Sequence, residues 1–308
     1  MSSIRAAVVG CGSFGQNHIR VINQSAGAEL VATVDPDPQR NATFTDWREL
    51  IGKVDAAVVA TPTIAHAEIG VGLLEAGIDV LVEKPIAATV DEAQRLVDTA
   101  RAHGRILQAG HLERFNSGVM ALERILSVPL FFEIHRLSMF APRSLDVDVV
   151  LDLMIHDVDI VLSLVGKLPE EVRAAGVRIL SQKVDIANVR LAFPGGCIAN
   201  LTASRVSTEK VRKLRLFQPH QYVSVDYSRQ EGAAFTVGAN QQIGYQALSG
   251  EKKEPLIAQW ESFLDCVRTR RDPRVTGEQA TLALKVCSDI VAKIEEHGAI
   301  VAQTLHGV

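Results

Sequence analysis

Residues 4–15 read IRAAVVGCGSFG, and together with Asp35 they decide the fold. The first six are small, apolar and β-branched, the composition of a strand buried on both faces. Glycines follow at 10, 12 and 15 in the spacing GxGxxG, and residues 16–23 continue with helical periodicity. A strand, a glycine-rich turn and a helix in that order can hold a dinucleotide. Gly10 permits the tight turn, Gly12 lets backbone approach a pyrophosphate, and Gly15 lets helix and strand pack closely. The helix N-terminus then faces the phosphates, with Ser13 and Phe14 inside the turn expected to share the contact. A second strand over 29–35 ends on Asp35, twenty residues past Gly15. Its carboxylate accepts hydrogen bonds from a ribose diol and repels a phosphate there, so NAD is expected over NADP. Arg40 nearby would offset part of that preference. Cys11, in the same turn, reads as a small side chain that fits.

Outward from this unit, short apolar runs at 56–60 and 80–83 alternate with helical patterns at 65–76 and 89–103, and 106–109 adds a strand. That alternation indicates a parallel sheet covered on both faces. The pattern then changes. Residues 116–127 look helical and 131–138 alternate as FFEIHRLS. Strand-like runs follow at 172–180, 188–193, 197–203, 213–217 and 222–225, joined by turns such as Pro194-Gly195-Gly196. Runs so closely spaced indicate a mainly antiparallel sheet. Residues 148–165, 256–268 and 277–297 are helical by periodicity. The expected class is α/β: a dinucleotide-binding Rossmann domain over 1–117, then an α/β domain over 118–308 with an open sheet. The final helices are expected to pack back toward the N-terminal domain.

A chain of 308 residues, 47% of them apolar, has material for two cores. A net charge of −4 with both signs dispersed gives no reason to invoke nucleic acid or anionic membrane. The four cysteines lie far apart, without zinc or redox spacing, and read as reduced thiols of a cytoplasmic protein. The N-terminus runs straight into a strand, so no signal peptide is expected, and no apolar run is long enough to span a bilayer. No metal site is expected. An open antiparallel sheet exposes a face that needs covering, so a homodimer or homotetramer is expected.

Two further motifs carry chemistry. Glu83-Lys84-Pro85 ends a strand of the parallel sheet, at the carboxyl edge where such folds bind ligand. Asp152 and His156 stand four apart on a predicted helix and so share one face. An imidazole, whose reference pKa is about 6.5, suits proton exchange near neutrality. A lysine ammonium stabilises a developing alkoxide, and a desolvated lysine can itself act as base. With a nicotinamide to carry hydride, this set fits oxidation of a secondary alcohol.

With Thr61-Pro62, His66 and Asp159 added, these motifs resemble the glucose–fructose oxidoreductase, inositol dehydrogenase and MocA-like family over essentially the whole chain. The resemblance implies a pyridine nucleotide and a sugar, polyol or sugar-like substrate at the domain junction. It implies Lys84, Asp152 and His156 as the catalytic set, Thr61 and Pro62 as the turn lining the nicotinamide side, and Glu83 as the acid beside the nicotinamide ribose. His66 belongs to the same matched stretch. Where the family often has glycine two residues before the histidine, this chain has Met154, a bulkier residue expected to reshape the pocket.

Residues 110–116, GHLERFN, resemble a bacterial nucleotide-sugar subgroup of that family, with Ser117 in place of its proline. DLMIHDVDIV and ANLTASRVSTEKVRKLRLFQP resemble the same subgroup, whose members include UDP-N-acetylglucosamine 3-dehydrogenases. A sugar diphosphate needs cationic donors. Arg114 and Arg205 are the first candidates, ahead of Lys210, Lys213 and Arg215, whose strand also reads as an ordinary one with a charged face. His111, Glu113 and Asn116 are expected at the substrate, although His111 and Glu113 fit equally well as ties of the interdomain turn. Two other readings stay open: a dehydrogenase of a free sugar or polyol such as inositol or an aldose, and a nonenzymatic NAD-binding regulator on the same fold.

Overall fold

The computed structural model describes residues 3–140, 147–238 and 240–306. The chain divides into two compact units, Met1–Phe115 with Lys253–Thr281, and Asn116–Lys252 with Leu282–Val308.

The first unit opens with β1 (Ile4–Val9), α1 (Ser13–Gln24), β2 (Ala28–Val34), β3 (Ala56–Val59), α2 (His66–Glu75), β4 (Asp79–Val82), α3 (Val90–Ala102) and β5 (Leu107–Ala109). All five strands run parallel in the order β2-β1-β3-β4-β5. β3 and β4 are buried at every position, so their sequences show no alternation. Local signals set the helix ends. Thr89 caps α3 by accepting the Glu92 N–H at 3.2 Å, and Ala93, Leu96, Val97 and Ala100 form its buried stripe. The strand order reverses between β1 and β3, which opens a crevice at their carboxyl ends.

The second unit comprises α4 (Ser117–Glu123), β6 (Phe131–Leu137), α5 (Ile155–Val165), β7 (Glu171–Val177), β8 (Ile186–Ala192), β9 (Ile198–Ser204), β10 (Val211–Gln218), β11 (Gln221–Asp226), β12 (Glu231–Val237) and β13 (Ile243–Ser249). Its eight strands lie in the order β13-β12-β11-β10-β6-β9-β8-β7, antiparallel except for the parallel pair β6–β9. Strict alternation in β6 sends Phe132, Ile134 and Arg136 inward. The inward apolar residues pack with Leu214, Leu216, Val223 and Val225 against Ile155 and Val158 of α5. Two helices finish the chain, α6 (Pro255–Thr269) and α7 (Gly277–His306). In the first unit, α6 lays Trp260, Phe263 and Leu264 against Ile4, Ala6 and Val8 of β1. In the second, Cys287 and Ile290 of α7 join the core.

β12 and β13 have no counterpart among the expected strands. β13 is exposed at six of its seven positions, so no apolar face marks it, and β12 opens with Glu231, Gly232 and two alanines. The outward face carries an aromatic ladder in direct cross-strand register: Phe131, Phe217, Tyr222, Phe235 and Tyr245. Successive ring centroids lie 5.8, 5.0, 5.8 and 5.4 Å apart. No helix among the described residues is long and apolar enough to cross a membrane. All four cysteines are buried free thiols.

Candidate functional site

The dinucleotide cradle sits at the carboxyl ends of β1 and β3. Gly10 has φ +93°, and a Cβ there would lie 2.6 Å from the Ala60 carbonyl oxygen, so the two turns touch through this glycine. A Cβ on Gly15 would lie 1.8 Å from the Gly10 carbonyl oxygen, which presses the first turn of α1 onto the loop. Gly12 is different: a Cβ there would meet nothing within 4 Å. It caps α1 without a side-chain hydrogen bond, so the first-turn N–H groups face open space suited to an anion. Ser13 is exposed and Phe14 is 40% exposed at this rim.

A cavity of about 610 Å³ adjoins the cradle, lined by Gly10, Gly12, Asp35, Thr61 and Pro62 among others. Asp35 is half-buried and its oxygens are anchored, Oδ2 accepting the Cys11 N–H at 2.7 Å and Oδ1 the Asp37 N–H at 2.9 Å. Each oxygen keeps a second lone pair for a diol. The cavity wall carries Asp35, Asp37, Asp46 and Glu68 against Arg40 and Arg48. Arg40 leans on Asp37 at 3.5 Å, while Arg48 pairs with Asp46 and Glu68 at 3.2 Å each. Both cations are answered locally and the wall remains net acidic, so Arg40 does little to soften the preference for an unphosphorylated ribose. The Thr61 hydroxyl is buried and finds no partner among the described residues. An orphaned hydroxyl, an uncapped helix start and a diol-accepting carboxylate fit NAD.

At the end of β4, Glu83 is 5% exposed. Its Oε1 accepts from Nε2 of His18 at 2.8 Å, and its Oε2 from the backbone N–H of Lys84 at 3.2 Å. Lys84 is half-buried and joined to Pro85 by a cis peptide. His66 is buried with its ring nitrogens on chain carbonyls, Nδ1 2.9 Å from Pro85 O and Nε2 2.8 Å from Thr61 O. It therefore sits between the Thr61 turn and the Lys84-Pro85 turn. Burial pushes its pKa down, against the pull of the Thr61 and Pro85 carbonyls.

In the second unit a π-helical turn, Val150–Met154, leads into α5. Such turns are frequent at functional sites. Asp152 is half-buried in this turn, and His156 is 8% exposed in the first turn of α5. Met154 is fully buried in the core with Val150 and Ile155. Among the described residues no group of three or more His, Cys, Asp or Glu is placed to hold a metal ion.

Comparison with known proteins decides the family. Residues 4–111 match the GFO/IDH/MocA model described as an oxidoreductase family with an NAD-binding Rossmann fold, and residues 126–219 match the GFO/IDH/MocA C-terminal domain. UDP-N-acetylglucosamine 3-dehydrogenase of Acidithiobacillus ferrooxidans is 34% identical over 309 residues, spanning 96% of this chain and 98% of its own. The chain belongs to the Gfo/Idh/MocA oxidoreductase family. The solved structure of that Acidithiobacillus enzyme superposes with a TM-score of 0.90 at 30% identity, covering 96% of this chain and 99% of its own. Inositol 2-dehydrogenase of Acidothermus cellulolyticus is 28% identical over 90% of this chain and 88% of its own.

For a Gfo/Idh/MocA member, the remaining expected substrate residues divide into two groups. His111, Glu113 and Arg114 are buried around a 3-10 turn, Leu112–Phe115, where the Arg114 carbonyl accepts from Arg274 at 2.8 Å. Asn116 instead caps α4: its Oδ1 accepts the Gly118 N–H at 3.1 Å and its Nδ2 donates to Tyr227 O at 2.8 Å. Arg205 is 5% exposed, donates to the carbonyls of Val147 and Val184, and lies 3.7 Å from Asp185. These bonds tie both side chains to the backbone, a use that short polar and long cationic residues share with ligand binding. Arg215 pairs with Glu133 at 2.7 Å between buried Leu214 and Leu216, an ordinary strand with a charged face.

Sequence reasoning missed two buried pairs, His18 with Glu83 and Arg136 with Asp157. For the second a signal existed, because alternation places Arg136 on the core face after Phe132 and Ile134. A charge on that face requires a partner. His18 gave no such signal.

Proposed function

We propose that this enzyme is a nucleotide-sugar dehydrogenase that oxidises the 3-hydroxyl of UDP-N-acetylglucosamine to the ketone with NAD. The observation that carries the reading is the match, over nearly the full length of both chains, to an enzyme of that name. Held by the glycine turn, Asp35 and Thr61, NAD would supply a two-electron hydride acceptor, and the protein's own part is to orient the C3 hydroxyl and take its proton. In this reading His156 takes the proton, Lys84 stabilises the developing alkoxide, and Asp152 orients the imidazole or holds a substrate hydroxyl. Lysine and histidine can exchange these roles, since a desolvated lysine also serves as base. Asp35, the glycine turn and the Thr61 hydroxyl hold the cofactor, and Arg114 with His111 and Glu113 serves the nucleotide-sugar end.

The inositol dehydrogenase relatives support a second reading, a free polyol as substrate. Turnover across UDP-sugars, free aldoses and inositols, with UDP as competitor, separates the two. Inhibition by UDP together with turnover of the UDP-sugar alone supports the first; turnover of free inositol without UDP inhibition supports the second.

We also propose that the enzyme works in the cytoplasm as a homodimer or homotetramer. Four unpaired thiols suit a reducing compartment. The aromatic ladder suits burial against a second copy, since Phe217 and Tyr245 stand 39% and 66% exposed on it. Sedimentation of the enzyme against Tyr222→Asp tests this: an unchanged assembly in the variant removes the ladder from the interface.

A further inference from the structure

His18 and Glu83 are joined by a buried hydrogen bond that the catalytic reading leaves without a purpose. His18 is 1% exposed, on the inward face of α1 with Gly15, Val21 and Ile22. Its Nε2 donates to Glu83 at 2.8 Å, and its Nδ1 has no partner among the described residues, so this is the ring's one polar tie among them. The apolar neighbours already seat the helix, and a hydrogen bond is not needed for that.

We propose that His18 is a positioning residue that couples filling of the dinucleotide cradle to the placement of Lys84. The path is short and continuous. α1 begins at the cradle, and His18 lies about 8 Å along its axis, within one rigid helix. Phe14, at the exposed rim, stands edge-on to the His18 ring with centroids 5.8 Å apart. An anion that draws the first turn of α1, or a group that presses on Phe14, therefore moves the imidazole. Glu83 cannot absorb that movement freely: a Cβ on Gly110 would lie 2.7 Å from its Oε2, so its carboxylate is packed against the chain. The same Oε2 holds the backbone N–H of Lys84. One carboxylate thus spans the helix that receives the cofactor and the peptide that carries the candidate catalytic lysine.

The inference rests on the dinucleotide reading of the cradle, and its test uses no sugar, so failure of the proposed substrate leaves it standing. ADP is the probe, because it fills the adenosine and phosphate positions without a nicotinamide half to shield Lys84 directly. Acetic anhydride at low conversion labels amines, and peptide mass spectrometry reads the rate at Lys84. Saturating ADP should change that rate about fivefold in the natural enzyme. His18→Gln keeps a donor toward Glu83 and should keep the response. His18→Leu should lose it while still saturating with ADP, its affinity shifting by no more than the same factor. If His18→Leu fails to fold, Glu83→Met removes both acceptor oxygens one step further on, and it too should lose the response. A response to ADP in either of these variants equal to that of the natural enzyme overturns the proposal, as does ADP binding to the natural enzyme without any change at Lys84.

Discussion

Arg136 and Asp157 form a two-point ion pair inside the second unit, Nε to Oδ2 at 2.8 Å and Nη2 to Oδ1 at 2.9 Å. Both side chains are 2% exposed, and the guanidinium lies 5.0 Å from the centre of the Tyr227 ring. Asp157 directly follows His156, so the pair fixes the turn of α5 that presents the candidate base. Removing one partner strands the other charge in the core. Arg136→Met should therefore cost about 3–5 kcal/mol of stability by urea unfolding. The double variant Arg136→Met/Asp157→Leu should recover most of that loss, because well-packed apolar pairs replace buried ion pairs with little penalty. Its turnover should stay low, since α5 has lost its register.

Lys84→Met keeps the length of the side chain and removes its charge. NAD affinity by calorimetry should be unchanged, because the cradle is built from Gly10, Gly12, Asp35 and Thr61. Turnover should fall about a thousandfold, the scale of a lost proton-transfer or alkoxide-stabilising group. Unchanged turnover would remove Lys84 from the chemistry.

The acidic wall predicts cofactor choice. Asp35→Asn removes the charge but retains an acceptor for the Cys11 N–H. The ratio of kcat/KM for NAD to that for NADP should fall by about tenfold or more, the size of one lost charge-assisted hydrogen bond. An unchanged ratio would assign the preference to Asp37, Asp46 and Glu68.

Asp185 carries a pH-dependent part of the stability. Burial alone would raise its pKa, but the Ser181 hydroxyl and the backbone N–H groups of Ser181, Ile179 and Leu180 outweigh burial and bring it to about 2. A carboxylate held below its unfolded pKa of about 3.9 stabilises the fold by about 2 kcal/mol. The sign follows: this contribution is complete above the unfolded value and is lost as pH falls through about 2. Asp185→Asn should be less stable than the natural enzyme near neutrality, and the gap should close as the pH is lowered from about 4 toward 2 in denaturant titrations.

What was legible in the sequence follows the range of the forces. Gly15 is dictated by a backbone approach within its own turn and Gly10 by its positive φ, so their spacing exposes them, and Asp35 follows from the end of the next strand. Strands buried on one or both faces announce themselves, whereas β13, exposed almost throughout, is held by its pairing with β12 and carries no pattern of its own. Polar residues are harder. Asn116 and Arg205 have the side chains of ligand-binding groups, and each also bonds a backbone carbonyl distant in sequence, that of Tyr227 and that of Val147, which no local pattern announces. His18 meets Glu83 across 65 positions, a separation that no local pattern encodes.

The central claim is hydride transfer from C3 of a nucleotide sugar to NAD. UDP-N-acetylglucosamine carrying deuterium at C3 is incubated with the enzyme and NAD, and the reduced cofactor is analysed by mass spectrometry. The account predicts reduced nicotinamide bearing one deuterium, together with a 3-keto sugar that has lost it. Reduced cofactor without deuterium, or no reduced cofactor from this sugar while free inositol turns over, would contradict it.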